Sequence, residues 1–495
     1  MTGRTYTDAE FESAATRHLM SDAETLTPNE AADGKTTTEL PRILDRGDPL
    51  ACARRFLAGE FNRDNHQILY HHRDQFFTWI RSRWRLVNDA ELRARLYEYL
   101  EASFVRVRAG NGKFENAKFK PSTRRVADVL DALKSAAFLS TEIDPPAWLE
   151  PVPDLPPDEL VPCCNGLIHL PEMELLGHDP EFFNLSALNV AYNKHADEPA
   201  AWLAFLRSLW GSDAEAVETL QEACGYFLTT DTRQQKIFML VGPKRSGKGT
   251  IARVLVALLG RSNVGGPTLG SLATNFGLAP LITKPLAIIS DARLSGRTDQ
   301  AVIVERLLSI SGEDVLTVDR KHREPWTGTL PTRFLLLSNE LPRLADASGA
   351  MASRFVMLTL KMSFYGREDP RLTEKLRADL PGILRWCLEG LRRLQERGRF
   401  IQPASSAEAI RELEDLGSPV GAFLRDHCEV EPGLEIACDN LYKAWCSWCT
   451  EQGRDHAGTK QRFGRDLRAV LPGLTVKQRR EALQVVRFYE GISTV

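Results

Sequence analysis

Ile237-Phe-Met-Leu-Val241 runs directly into Gly242-Pro-Lys-Arg-Ser-Gly247-Lys248-Gly249-Thr250, which runs directly into Ile251-Ala-Arg-Val-Leu-Val-Ala-Leu-Leu259. The first run is short, apolar and β-branched at both ends, and the last has helical spacing, so the stretch reads as strand, glycine loop and helix. Such a loop lets successive backbone N–H groups face one anion. The helix N-terminus adds its positive dipole end, and a lysine at position 248 reaches β and γ phosphates. The cradle comprises Gly242, Pro243, Lys244, Arg245, Ser246, Gly247, Lys248, Gly249 and Thr250. It implies a nucleoside triphosphate, ATP, as ligand, with Mg²⁺. The usual pattern places a hydroxyl directly after the lysine; here Gly249 stands there and the hydroxyl comes at Thr250. Thr250 and another group therefore both stay open as the Mg²⁺ ligand. A glycine-rich turn without a ligand is the bland alternative.

Two further strands follow at distances that suit the same site. Pro285-Leu-Ala-Ile-Ile-Ser290-Asp291 ends in an acid, where a carboxylate holds Mg²⁺ or activates the attacking water. No second acid stands beside it, so Asp291 takes one of these roles and the other stays unassigned. Thr332-Arg-Phe334-Leu-Leu-Leu337-Ser-Asn339 ends in an amide, and Ser353-Arg354 precedes the apolar run Phe355 to Leu360. Between the two strands, Val315 to Trp326 reads as a hairpin with an aromatic and a basic tip, Arg320, Lys321, His322 and Arg323. Such a hairpin suits a phosphodiester backbone, and equally a solvated turn.

Composition narrows the class. The 495 residues are 43 % apolar and 26 % charged, as in soluble globular proteins, and have room for about three domains. A net charge of −3 gives no global attraction to nucleic acid, so any such contact is local. No run approaches the ~20 apolar residues of a membrane span, and the N-terminus lacks a signal peptide's apolar segment, so a cytoplasmic location is expected. Nine scattered cysteines fit reduced thiols.

Residues 1–48 are polar and read as a mobile tail with a weak amphipathic stretch from Asp8 to Leu19. An accessory domain is expected over 49–198. There Phe56, Phe61, Ile68 to Tyr70, Phe76 to Ile80 and Trp84 suggest short antiparallel strands, and Asp89–Phe104 and Ser122–Phe138 have helical periodicity. Between those helices, Arg106 to Lys113, with Lys118 and Lys120, reads as a basic loop. Asn165-Gly166 marks a hairpin. Helices at Trp202–Leu209 and Ala214–Leu228 form a collar over 199–235, followed by a motor core over 236–401. Over 409–495, helices at Pro419–His427, Cys438–Gln452 and Lys460–Val470 precede strands Leu474–Val476 and Val485–Tyr489. This is a winged-helix pattern, with Lys460, Arg462, Arg465 and Arg468 for a DNA groove and Lys477, Arg479 and Arg480 on the wing loop. Cys438, Cys446, Cys449 and His456 raise zinc, but the cysteines also fit one buried helix face.

Taken in order, Gly242–Thr250, Ile288–Asp291, Val315–Trp326, Phe334–Asn339 and Arg354 resemble the superfamily 3 helicases of phage and plasmid replication, nearest to the D5-like, phage P4-type primase-helicase group. Asn165-Gly166, Trp202–Leu209 and Leu220 to Tyr226 look like that family as well. The resemblance implies an α/β P-loop, AAA+-like core between a D5-like N-terminal domain and a winged-helix-like C-terminal domain. It implies catalytic roles for Lys248, Asp291, Asn339 as sensor and Arg354 as a finger acting on the adjacent subunit. By the same likeness Thr250 and Asp291 serve Mg²⁺, and Arg320, Lys321 and His322 line the pore of a ring, expected as a hexamer, on single-stranded or forked DNA. The polymerase-type primase domain common in the family finds no room in the polar N-terminal residues, so a separate primase is expected. Two other classes stay in view: a nucleotide-switched origin-binding protein without turnover, and a small-molecule nucleotide kinase.

Overall fold

The computed structural model describes residues 42–110, 112–292, 300–344, 346, 349–454, 456–481 and 484–495. The amphipathic stretch expected from Asp8 to Leu19 lies outside them. Residues 42–48, assigned to a mobile tail from composition, are instead part of the folded N-terminal domain. Leu44 is buried, and its N–H donates to the Phe104 carbonyl at 2.8 Å.

Helix α1 (Pro49–Glu60) opens on Asp48, whose side chain accepts from the Ala51 N–H, with proline in the first turn. Phe56 lies on this helix, not on a strand: Cys52, Ala53, Phe56 and Leu57 recur at helical spacing and are all buried. Strands β1 (Leu69–His72), β2 (Gln75–Trp79) and β3 (Trp84–Val87) then form an antiparallel sheet, with Leu69 opposite Thr78 and Trp79 opposite Trp84. Helix α2 (Asp89–Ala102) follows, then β4 (Phe104–Arg108) and β5 (Phe114–Lys118), then α3 (Thr123–Ala136). The stretch read as a basic loop is therefore mostly a hairpin. Phe104-Val-Arg-Val-Arg108 alternates with the period of a strand and pairs with Phe114–Lys118. The hairpin expected at Asn165-Gly166 is present with its turn one residue earlier: Cys164-Asn165 joins β6 (Leu160–Cys163) to β7 (Gly166–His169).

Helices α4 (Ala200–Trp210) and α5 (Ala214–Leu228) lead into a five-stranded parallel sheet; β8 (Glu174–Leu176) precedes them at the edge of the β6–β7 sheet. Its strands are β9 (Ile237–Val241), β10 (Val264–Gly265), β11 (Leu286–Ile289), β14 (Arg333–Ser338) and β15 (Phe355–Thr359), in the spatial order β10-β11-β14-β9-β15. Helix α6 (Lys248–Leu259) follows β9, α7 (Gln300–Ser311) follows β11, and α8 (Ala350–Arg354) precedes β15. Hairpin β12 (Leu316–Arg320) and β13 (Arg323–Gly328) projects between α7 and β14. Both faces of the sheet are covered, which is why its strands read as unbroken apolar runs. Phe238, Leu240, Leu335, Leu337, Val356 and Leu358 face α4, α5 and α6; Ile237, Met239, Phe334, Leu336, Phe355 and Met357 face α7.

Helix α9 (Leu372–Ala378) precedes α10 (Leu380–Arg397), which crosses α5 with backbones nearly touching. A Cβ on Gly225 would sit 2.2 Å from the Cys387 carbonyl oxygen, and one on Gly390 would sit 2.6 Å from that of Gln221. No other residue fits at either point. Between them Glu222, 1 % exposed, is paired with Arg393 at 2.8 Å and with Arg397. A buried cation also ties the end of α5 to the sheet. Arg333, the first residue of β14, donates to the carbonyls of Phe227 at 3.2 Å, Thr229 at 2.6 Å and Asp231 at 2.9 Å, and lies over the Tyr226 ring. Burial pushes its pKa down to about 10.

Helix α11 (Ala407–Gly417) packs Leu413 on the sheet's α7 face, and a separate core follows it. That core unites α12 (Pro419–His427), β16 (Glu435–Ala437), α13 (Cys438–Glu451), α14 (Lys460–Val470), β17 (Thr475–Glu481) and β18 (Gln484–Glu490). Strand β16 was not foreseen. It is three residues long and makes a third strand beside β18. Lys477, Arg479 and Arg480, expected on a loop, lie on β17, whose pairing with β18 runs to Glu481. Among the described residues no helix is long and apolar enough to cross a membrane.

Candidate functional site

The glycine loop leaves β9 at Gly242, where the chain passes so close to Leu360 that a Cβ would sit 2.4 Å from its carbonyl oxygen. It turns through Arg245 and Gly247, both at positive φ, and Gly247 becomes the N-cap of α6 with no side chain to satisfy the helix's first N–H groups. Those donors, with the helix dipole, make the loop a site for an anion. Lys248 folds across it. Its Nζ donates to the carbonyls of Gly242 at 2.7 Å and Pro243 at 2.9 Å, and contacts Ser246 Oγ at 3.2 Å and Asn339 Oδ1 at 3.1 Å. An ammonium has three protons, so four oxygens saturate it. Partial burial lowers its pKa from the ordinary lysine value.

Asn339 arrives here because β14 is in register with β9: Leu240 faces Leu337 and Val241 faces Ser338, so Asn339 emerges beside Gly242. Asp291 comes to the same edge, two residues past β11, where the Ala292 N–H bonds the Leu337 carbonyl at 3.2 Å. The carboxyl ends of β9, β11 and β14 thus bring Lys248, Asn339 and Asp291 to one rim of the sheet, the place where open parallel sheets bind ligands. Thr250 differs: its hydroxyl accepts from Arg253 Nη2 at 2.9 Å, one turn along α6. Two features of this rim escaped the sequence reading. Glu340, exposed and next to Asn339, is a second acid here. The segment after β15 also lies on the loop, with the Phe364 N–H on the Arg245 carbonyl at 2.9 Å and Ser363 Oγ on the Lys244 carbonyl at 2.8 Å, and it carries Tyr365, 79 % exposed. Neither has a signature in sequence, because both depend on where β14 and β15 end. Among the described residues no group of three or more His, Cys, Asp or Glu side chains is fit to hold a metal alone. Asp291 is the donor that suits a Mg²⁺ sharing its shell with phosphates and water.

Arg354 lies elsewhere. It ends α8 immediately before Phe355, which pairs with Ile237, so it sits at the opposite, amino rim of the sheet. Its Nη1 contacts Gln235 Oε1 at 2.5 Å and the Gln235 carbonyl at 3.3 Å. The length of β9, about 16 Å for five residues, separates it from its own glycine loop.

The β12–β13 hairpin carries Arg320 opposite Arg323, with Lys321 and His322 at the turn and His322 at a φ of 59°. Lys321, His322 and Arg323 are exposed, and Arg320 Nε holds the Glu324 carbonyl at 2.8 Å. Trp326, expected as part of the gripping surface, is at the hairpin base instead, half-buried over Gly328. In the C-terminal core, Arg462, Arg465 and Arg468 are exposed on α14, with Arg462 and Arg465 near Asp466 and Lys460 paired to Asp439.

Residues 55–211 match the family described as D5 N terminal like, and residues 240–354 match a family of unknown function, DUF5906. The apo structure of the NrS-1 C-terminal region (305–718) is similar with a TM-score of 0.53 at 12 % identity, covering 90 % of this chain and 99 % of that chain. An A-form apo structure of the same region matches at 12 % identity over the same shares, with a TM-score of 0.49. The chain carries a D5-like N-terminal domain, and its fold is that of the NrS-1 C-terminal region.

Proposed function

We propose that this chain is an ATP-hydrolysing translocase of the superfamily 3 type, which assembles as a ring on single-stranded DNA during replication of a phage or other mobile element. The observation that carries the reading is the meeting of Lys248 and Asn339, 3.1 Å apart, at the carboxyl rim of a parallel sheet and the N-terminus of α6. Lys248 would move from its loop oxygens to the β and γ phosphates, and Asn339, released from it, would orient the attacking water. Asp291 would hold Mg²⁺, which supplies charge neutralisation at the phosphate oxygens; Thr250, engaged by Arg253, is the weaker ligand. Arg354 faces away from its own loop, so its charge can stabilise phosphoryl transfer only in a neighbouring copy. That neighbour is why a ring is proposed. The D5-like domain supports a place in replication, and the exposed Lys321 and Arg323, the part-exposed Arg320 and the exposed arginines of α14 supply local contacts to phosphates.

One observation favours a second reading. With the Thr250 hydroxyl committed to Arg253, the loop resembles a nucleotide-gated switch that binds without turnover. Steady-state ATP hydrolysis with and without single-stranded DNA, run beside phosphate transfer to nucleoside monophosphates, separates the readings. DNA-stimulated hydrolysis lost in Lys248→Ala supports the translocase. Binding with no turnover supports the switch, and transfer to a monophosphate supports a kinase.

A further inference from the structure

The β4–β5 hairpin of the N-terminal domain has two unlike faces. Residues directly opposite in an antiparallel pair share a face, and alternate residues along each strand return to it. Phe104 faces Lys118, Arg106 faces Asn116 and Arg108 faces Phe114, so one face carries three cations, an amide and two aromatics, and no acid. The other face carries Val105 and Ala117, turned to the domain core, with Val107 and Glu115 near the tip. The hairpin's one acid is therefore on the far side from its cations. At the base Lys118 Nζ lies 4.5 Å from the Phe104 ring centroid, and Arg46 fixes the strand by donating to the Phe119 carbonyl at 2.8 Å and the Lys118 carbonyl at 2.6 Å. Toward the tip, Arg106 and Arg108 are exposed and, among the described residues, form no ion pair; Phe114 is 69 % exposed, more than any other phenylalanine described.

A solvated hairpin has no use for a bare phenylalanine beside two unpaired guanidinium groups. Together they match a polyanion that also offers ring faces. We propose that this face is a second binding platform for single-stranded nucleic acid, in which Arg106 and Arg108 hold consecutive phosphates and Phe114 stacks on an unpaired base. The two arginines are about 6.8 Å apart along the strand, a reach suited to neighbouring phosphates of an extended chain. Stacking requires a base free of its pair, so a single strand fits and an intact duplex meets only the arginines. This rests on the single-stranded DNA partner proposed above and adds a contact outside the sheet-bearing core.

The test uses the full-length chain and a fluorescein-labelled oligo(dT), with anisotropy read without nucleotide over a series of salt concentrations. Arg106→Ala/Arg108→Ala is expected to reduce the slope of log K against log salt by about 1.4, the loss of two phosphate contacts on a single strand. Phe114→Ala is expected to weaken binding about tenfold with the slope unchanged, and Phe114→Trp to restore it. Thermal melts matching the parent show that each variant is folded. Unchanged affinity and slope in folded variants overturn the proposal. So does a changed oligomeric mass at unaltered affinity per protomer, which makes the face a contact between copies. DNA-free ATP turnover, measured separately, is expected to be unchanged in both variants. A chain that hydrolyses nothing thus fails the translocase reading while still reporting on the hairpin.

Discussion

The two rims of the parallel sheet are built from the same strands and do opposite things. At the carboxyl rim, strand ends set Lys248, Asn339 and Asp291 around an anion cradle. At the amino rim, two arginines mark the starts of β14 and β15: Arg333 is buried and bound to three carbonyls, and Arg354 is half-exposed on Gln235. A strand start is where a cation serves packing or a neighbour, since its own loop is a strand length away. The lesson is that position along a strand sorts these charges more sharply than residue type does. Arg333 and Arg354 are both arginines beside an apolar run, and only one of them is available to another molecule.

Breaking the carboxyl rim gives the largest effect. Lys248→Ala is expected to abolish measurable ATP turnover, a loss of more than about a thousandfold, read as phosphate release at saturating ATP. Arg354→Ala is expected to cost about a thousandfold in the same assay while leaving ATP affinity within a few-fold. An equimolar mixture of the two inactive proteins sharpens the contrast. If each site takes its lysine from one copy and its arginine from the next, random assembly restores roughly a quarter of the parent sites; a mixture that stays inactive removes the finger from Arg354. Arg333→Met should invert this pattern. Loss of its bonds to the carbonyls of Phe227, Thr229 and Asp231 is expected to cost about 3 kcal/mol of stability, read as a lower urea midpoint, with turnover of the folded protein nearly intact. The smallest effect is expected at the loop's flank. If Tyr365 offers its ring to the base of the nucleotide, Tyr365→Ala raises KM for ATP several-fold with kcat unchanged.

How far the sequence could be read varies with the range of the interactions involved. The strand-loop-helix of residues 237–259 was legible because every part of it is local: an apolar run, a glycine where φ is positive at Gly247, helical spacing afterwards. Helices α12 and α14 were legible to the residue for the same reason. Phe56 reads as a strand residue on aromatic density alone, whereas the Asp48 cap and the proline after it mark a helix start. The β4–β5 hairpin reads as a loop on its arginines and glycines, which obscure the alternation of Phe104 to Arg108. The burial of Arg333, the register that sets Asn339 beside Gly242, and the rim on which Arg354 sits follow from strand order, and no window of sequence contains that order.

The four oxygens around Lys248 have a consequence for the end of a reaction cycle rather than its start. A ligand entering the loop must outbid a set of bonds that is already complete, so a lone orthophosphate has little to offer and a chain of phosphates has much. On the proposed reading, once the terminal phosphate is cut free, the lysine's return to Gly242, Pro243, Ser246 and Asn339 works against its retention. The loop, with Asn339 beside it, would then clear its own product and reset.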